Sequence, residues 1–271
     1  MPTEVRALSQ AEGKILAEAL PEIPFTAVTQ NALRVGHARA FVVGTTRQFR
    51  AAIVRVPAMG GEPQAFGEDA EALWAILSKL PGWFAVNVES TRTQPLKAVL
   101  ETHLGRTAHL YPDVYHVLET EPHWFDHPWV RLLSLEDADL VREAIPQLWP
   151  RGAPLPSEWL SVGVAAGAIT GGRLVGLVGA PNLRGRFVNV GADTLAAYRG
   201  QGIARAATCR VAREVLRRGR TPVWSTGEAN LASLHVARSV GFREHARAMY
   251  VLFPEWRASG GFQPSGASVA D

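Results

Sequence analysis

From Tyr198 to Ala206 the chain reads Tyr-Arg-Gly-Gln-Gly-Ile-Ala-Arg-Ala, two glycines leading into a regularly patterned segment. Residues of these types in this order can hold a phosphate. The first turn of a helix leaves N–H groups unpaired at the positive end of its dipole, so an anion placed there meets donors already aligned. Glycine removes the Cβ atoms that would keep the phosphate away. Spacing separates the possible loops. A dinucleotide fingerprint wants a small residue where Arg205 stands, and an NTPase loop wants Gly-Lys-Ser or Gly-Lys-Thr, which is absent.

Such a loop works only between a strand and a helix, and both can be read. Residues 173–179 and 186–194 have the composition of two strands joined by a turn at 182–185. Ile203, Ala207, Val211 and Val215 recur at helical spacing, while Arg205, Arg210, Arg213 and Arg217 point elsewhere. Residues 222–226 read as a strand, and 230–242 as a helix stopped by glycine.

Arg-x-x-Gly-x-Ala from Arg199 to Ala204 resembles the acyl-CoA loop of the GNAT superfamily of N-acetyltransferases. Asn230-x-x-Ser233-x-x-Val236-Ala237-x-x-x-Gly241-Phe242 is similar to that superfamily's second signature. The resemblance covers the second half of the chain and implies an α/β (α+β) fold, with a mixed, mostly antiparallel sheet flanked by helices. It implies acetyl-CoA as acyl donor, no metal, and direct attack by a small-molecule amine, antibiotic-like or amino-acid-like, in a ternary complex. By motif position, the N–H groups of Gln201, Gly202, Ile203 and Ala204 take the pyrophosphate, with Arg199 and Gly200 shaping the turn. Ala192 and Thr194 lie along the cofactor, an N–H near Thr194 or Leu195 serves as oxyanion donor, and Asn230 and Ser233 touch the cofactor. Gly202→Asp is then expected to abolish cofactor binding and leave the fold intact.

The acceptor must lose a proton before attack, because an alkylamine of pKa ~10.4 is mostly ammonium at neutral pH. Asp193, on the strand leading to the loop, is the first candidate for general base, with Glu158 and Glu228 behind it; capping the following turn is its competing role. The family's tyrosine acid falls at Ala237, so the acid is unassigned; Tyr250 cannot be carried over and is expected to pack. His235, two residues from Ala237, should face away.

With 271 residues and 47% hydrophobic content the chain can furnish about two cores. Residues 1–124 are expected to form a degenerate GNAT-like domain, 125–257 the catalytic domain, and 258–271 a disordered tail. The first half offers strands at 40–44, 49–56, 83–88 and 109–118 and helices at 68–80 and 95–104. Leu96, Leu100, Leu104 and Gly105 repeat the roles of Ala232, Val236, Val240 and Gly241, but Gly67-Glu68-Asp69 would put acids where the loop should be. A formal charge of +3, from 28 basic and 25 acidic residues, argues for no nucleic acid partner. No apolar run approaches the ~20 residues of a membrane span, so a cytoplasmic protein is expected, with a homodimer as the assembly considered. Cys209 reads as a packed side chain, and His123 and His127, flanked by Pro122 and Pro128, as interdomain residues and not zinc ligands. The acceptor pocket is expected from residues 147–159, where Trp149 and Trp159 line it or fill the core. A non-catalytic acyl-CoA sensor is the alternative function.

Overall fold

The computed structural model describes residues 4–59, 62–149 and 155–253. The expected tail 258–271 and part of the expected acceptor loop, 150–154, lie outside them. The chain begins β1 (Val5–Ala7), α1 (Gln10–Ala19), α2 (Ala27–Arg34), β2 (Arg39–Gly44), β3 (Phe49–Arg55) and β4 (Gln64–Phe66). It continues α3 (Ala70–Leu77), β5 (Ala85–Glu89), α4 (Thr93–Leu104) and β6 (His109–Val117). The same order then recurs: β7 (Val130–Leu132), α5 (Ala138–Leu148), α6 (Pro156–Val162), β8 (Val164–Thr170), β9 (Arg173–Ala180), then a strand in two pieces, β10 (Phe187–Asn189) and β11 (Gly191–Thr194). It closes with α7 (Ile203–Arg217), β12 (Thr221–Gly227), α8 (Leu231–Val240) and β13 (Arg243–Leu252). The repeat is therefore longer than its helix pattern alone indicated. In one place that pattern misleads: Ala232 is exposed, and α8 buries Leu234, Ala237 and Val240 instead.

The two compact units are not two consecutive lengths of chain cut at 124. Unit 1 comprises residues 1–114, 227–230 and 246–271, and unit 2 comprises 115–226 and 231–245. Unit 1 is built on β1 to β5, all antiparallel neighbours except β4 and β5, and is completed by β13, which runs antiparallel to β5 from Ala85↔Leu252 to Glu89↔Ala248. Its core gathers Ile53, Leu73, Ile76, Leu77, Val86, Val88, Leu96 and Leu100 with Val251 of that last strand. Local signals start its helices. Ser9 and Glu12 form a reciprocal capping box before α1, and the Asp69 carboxylate accepts from Ala72 N–H at the start of α3.

Unit 2 contains an antiparallel four-stranded sheet in the order β11-β9-β8-β7. One face packs on α7, through Val175, Val178 and Ala168 against Ile203, Ala207 and Val211. The other packs on α5 and α6, through Leu174, Leu177 and Ala165 against Val141, Leu148 and Trp159. Gly191 and Gly179 are directly opposite across β11 and β9, and together they seat a tryptophan pair. A Cβ on Gly179 would come 2.0 Å from the Trp159 ring, and one on Gly191 would come 2.4 Å from Trp149. Trp159 is wholly buried core, whereas Trp149 is half-buried against β11.

Because β13 supplies part of the unit 1 sheet, fragment 1–124 leaves the long edge of β5 unpaired and its core open. That fragment should show no cooperative thermal transition, and fusing residues 243–253 to it through a Gly/Ser linker should restore one. A cooperative melt by 1–124 alone would refute this account of the sheet.

Candidate functional site

The two pieces β10 and β11 are one strand that changes partner. Phe187 to Asn189 pair parallel with Thr221 to Val223 of β12, and Val190 N–H still donates to Val223 O at 2.8 Å. From Gly191 the strand pairs instead with β9. Past Val190, then, β11 and β12 part, leaving a wedge. The antiparallel ladder says which groups face it. Leu195 N–H donates to Val175 O at 2.9 Å, so by alternation residues 191, 193 and 195 bond β9, while Ala192 and Thr194 turn their main-chain N–H and C=O towards the wedge.

This corrects the expected oxyanion donors. The Leu195 N–H is taken by β9, and the Thr194 N–H donates to Asp193 Oδ1 at 2.7 Å. Ala192 N–H is the donor the register presents to the wedge. Buried hydroxyls stand on both strands beside it: Thr194 and Thr226 are each over nine-tenths buried, and neither Oγ1 has a hydrogen-bond partner. Thr226 had no motif to reveal it; only the pairing of β12 with β10 brings it here.

At the open end of β11 lies the glycine loop. Residues 196–198 form a single 3-10 turn, and Gly200 and Gly202 both have left-handed backbone, φ 76° and 81°. Gly202 is the N-cap of α7, and no side chain caps that end. Ala206 N–H makes the first main-chain bond, to Gly202 O, so the N–H groups of Ile203, Ala204 and Arg205 precede the helix's own ladder. Arg199 shapes the turn, its Nε donating to Thr194 O at 2.9 Å. The loop thus has the uncapped donors that a diphosphate needs. The expectation that Gly202→Asp would spare the fold is corrected, since a Cβ there would lie 2.8 Å from the Phe125 ring, on backbone that L residues rarely adopt.

Asp193 shares a face of β11 with Gly191, the α5 and α6 face, two residues from the Trp149 contact. Its carboxyl is pushed above the ordinary aspartate range, chiefly by burial, against the lowering effect of the Thr194 N–H and the Arg199 guanidinium 3.5 Å away. The N–H it bonds is that of Thr194, still within β11, and not one of the turn at 196–198 that it was expected to cap. Of the other candidates, Glu158 is exposed on α6, and Glu228 belongs to unit 1, paired with Arg247. Ser233 Oγ accepts from Trp224 Nε1 at 2.9 Å. Asn230, just before α8, is buried and falls in unit 1.

Ala237 is wholly buried, so nothing at the family's tyrosine position can reach a thiolate. His235 faces outward as expected. Tyr250 does more than pack: it lies in unit 1 among Asn87, Glu62 and Asp113, and burial and those carboxylates hold its phenol well above the usual tyrosine range. Cys209 is a buried core residue whose Sγ donates to His123 O at 3.4 Å, and burial raises its thiol. His127 Nδ1 accepts from Trp129 N–H.

Unit 1 offers the contrast. There β4 is paired on both sides, Ala65 with Ile53 of β3 and with Val88 of β5, so no wedge opens. Gly67, the counterpart of the loop glycines, serves close packing: a Cβ on it would lie 2.2 Å from Arg50 O. The first turn of α3 is already occupied by the carboxylate of Asp69.

Residues 156–251 match the family model described as GNAT acetyltransferase. No curated protein sequence matches the chain. Among solved structures, it resembles a GCN5-related N-acetyltransferase-like protein of Streptococcus suis, with 16% identity over 90% of this chain and 100% of that one, at TM-score 0.63. It also resembles an N-acetyltransferase of Kribbella flavida, with 15% identity over 85% and 94% of the chains, at TM-score 0.62. A tandem GNAT protein from the clavulanic acid biosynthesis pathway aligns over 92% and 98%, with 14% identity and TM-score 0.55. Residues 156–251 therefore form a GNAT acetyltransferase domain, and the chain shares the fold of these GNAT structures, with an order of elements that occurs twice along it.

Proposed function

We propose that unit 2 is an N-acetyltransferase that moves an acetyl group from acetyl-CoA to a small-molecule amine. The observation that carries this reading is the conjunction of parted strands with an uncapped helix start at their open end. The first-turn N–H groups of α7 with the glycine turn bind the diphosphate. The exposed edge of β11 aligns the pantetheine, and Ala192 N–H is directed at the oxygen on which charge builds during attack. Asp193 accepts the amine's proton from the α5 and α6 face. With Ala237 apolar, the departing thiolate, of thiol pKa ~8.5, takes its proton from water. Unit 1, with its closed strands and self-capped α3, holds no acyl donor.

Partners follow the same logic. Arg210 pairs with Asp126, Arg213 with Glu121, and Arg217 and Arg218 with Glu214, so the basic face of α7 is largely neutralised by the protein's own acids. That favours a small acceptor over nucleic acid. A cytoplasmic setting matches the acetyl-CoA supply. The tie between Asp193 and Arg199, together with the apolar Ala237, favours a second reading in which unit 2 senses acyl-CoA without catalysis. Calorimetric binding of acetyl-CoA with no CoA release on any amine of a broad panel would select it.

Ala204→Asp separates loop function from fold. At the second position of α7 the new carboxylate should stabilise the helix by ~0.3–1 kcal/mol, while weakening CoA binding about 100-fold by charge repulsion. A raised or unchanged melting temperature with lost binding is the expected pair of results, and retained affinity would remove the loop from the site. For the base, the ionised carboxylate is the active form. Activity should therefore be full above the raised Asp193 pKa and fall as pH drops through it, with an acidic limb above the ordinary aspartate value of ~3.9. Asp193→Asn should lower kcat about 100-fold and abolish that limb in the kcat profile. A limb that survives the substitution would assign the base elsewhere.

A further inference from the structure

Residues 119–129, between β6 and β7, follow α7 and grip it one side chain after another. Arg213 bonds Glu121 and lies 3.8 Å over the Trp124 ring, while Arg210 bonds Asp126 and faces the same ring. At the N-terminal end of the helix the segment reaches the glycine loop. The Phe125 ring lies where any Cβ on Gly202 would meet it at 2.8 Å, and the Arg205 guanidinium stacks over that ring, 4.6 Å from its centroid. Trp129 meets Tyr198, just before the loop, edge to face at 6.2 Å. Two aromatic rings from outside the motif thus hold the loop on both sides.

Arg205 differs from its neighbours on α7. Arg210, Arg213 and Arg217, and Arg218 just past the helix end, each pair with a carboxylate, whereas Arg205 rests on a ring; its buried Nε, like that of Arg210, has no hydrogen-bond partner. A cation held by a π face keeps its full charge for an anion, because the ring attracts the charge without neutralising it. Arg205 is also the third residue of α7, beside the uncapped N–H groups.

We propose that Phe125 is a positioning residue for the acyl donor, one that sets the Gly202 turn from outside and holds Arg205 beside the helix start for the diphosphate. This rests on the reading of unit 2 as an acetyl-CoA site. The ring acts only on the diphosphate end of the ligand, and that makes it separable from a general structural role.

Calorimetry on the full chain with CoA, and displacement of CoA by S-acetylpantetheine, which lacks the diphosphate, tests the assignment. Phe125→Leu, which keeps apolar bulk against Gly202 but has no π face, should weaken CoA about 10-fold and S-acetylpantetheine less than about 2-fold. Phe125→Tyr should restore wild-type affinity. Adding Phe125→Leu to Arg205→Ala should weaken CoA no further than Arg205→Ala alone, as expected of residues acting through one contact. Equal losses for both ligands, additive losses, or undiminished CoA affinity in Phe125→Leu would each overturn the proposal. Failure of the wild-type protein to bind CoA would instead overturn the acetyl-CoA reading itself.

Discussion

A strand has two hydrogen-bonding edges, and the second unit depends on where one strand loses its neighbour on one edge and gains another on the opposite edge. At Val190 the chain leaves β12 and joins β9. Main-chain groups left unpaired inside a protein are costly, by roughly 1–3 kcal/mol each, so the parting is tolerated only where something else can bond them. Thr194 shows the protein meeting part of that need internally: its N–H is bonded by Asp193 and its C=O by Arg199. Ala192 has no side chain of its own to do likewise. The edge of β11 is thus polar, directed and open at the same point where the uncapped start of α7 supplies a second set of donors. The first unit has the same order of elements and lacks both features, because β4 stays zipped between β3 and β5 and Asp69 fills the first turn of α3.

Much of this was legible from residue types. Glycines before a helix, apolar residues at Ile203, Ala207, Val211 and Val215, and the acids at Gly67-Glu68-Asp69 each have a local physical meaning, and the structure bears them out. That the last strand completes the unit 1 sheet was not legible. Residues 243–252 alternate like any strand, and nothing in their pattern says that β5 will be their partner. The helix phase of α8 was missed for a similar reason: Ala232 is apolar but small, and exposing it costs little. Nor could spacing reveal which N–H groups of β11 are free, since that follows from the pairing register with β9. Thr226 and Phe125 come to the site only through tertiary packing.

The glycines of the two units divide by purpose. Gly67, Gly179 and Gly191 are needed because neighbouring backbone or tryptophan occupies the room a Cβ would take. Gly200 meets nothing within 4 Å, and it is glycine for its left-handed backbone alone. Gly67 and Gly202 combine the two, with φ at 105° and 81° and with Arg50 O and the Phe125 ring, respectively, where a Cβ would stand. The geometry of the residue at the centre of the loop is therefore set from outside the motif as much as by it.

Asp193 shows how the demands on one side chain conflict. Burial pushes its pKa up, while the Thr194 N–H and Arg199 pull it down and hold the carboxylate in place. In the proposed base role, a carboxylate so held cannot swing towards an amine, so the amine must come to it. Its face of β11 is bounded by Trp149, seated on Gly191. On the proposed reading, an acceptor ammonium at this face has an aromatic ring beside the carboxylate that takes its proton, and a ring face attracts such a cation.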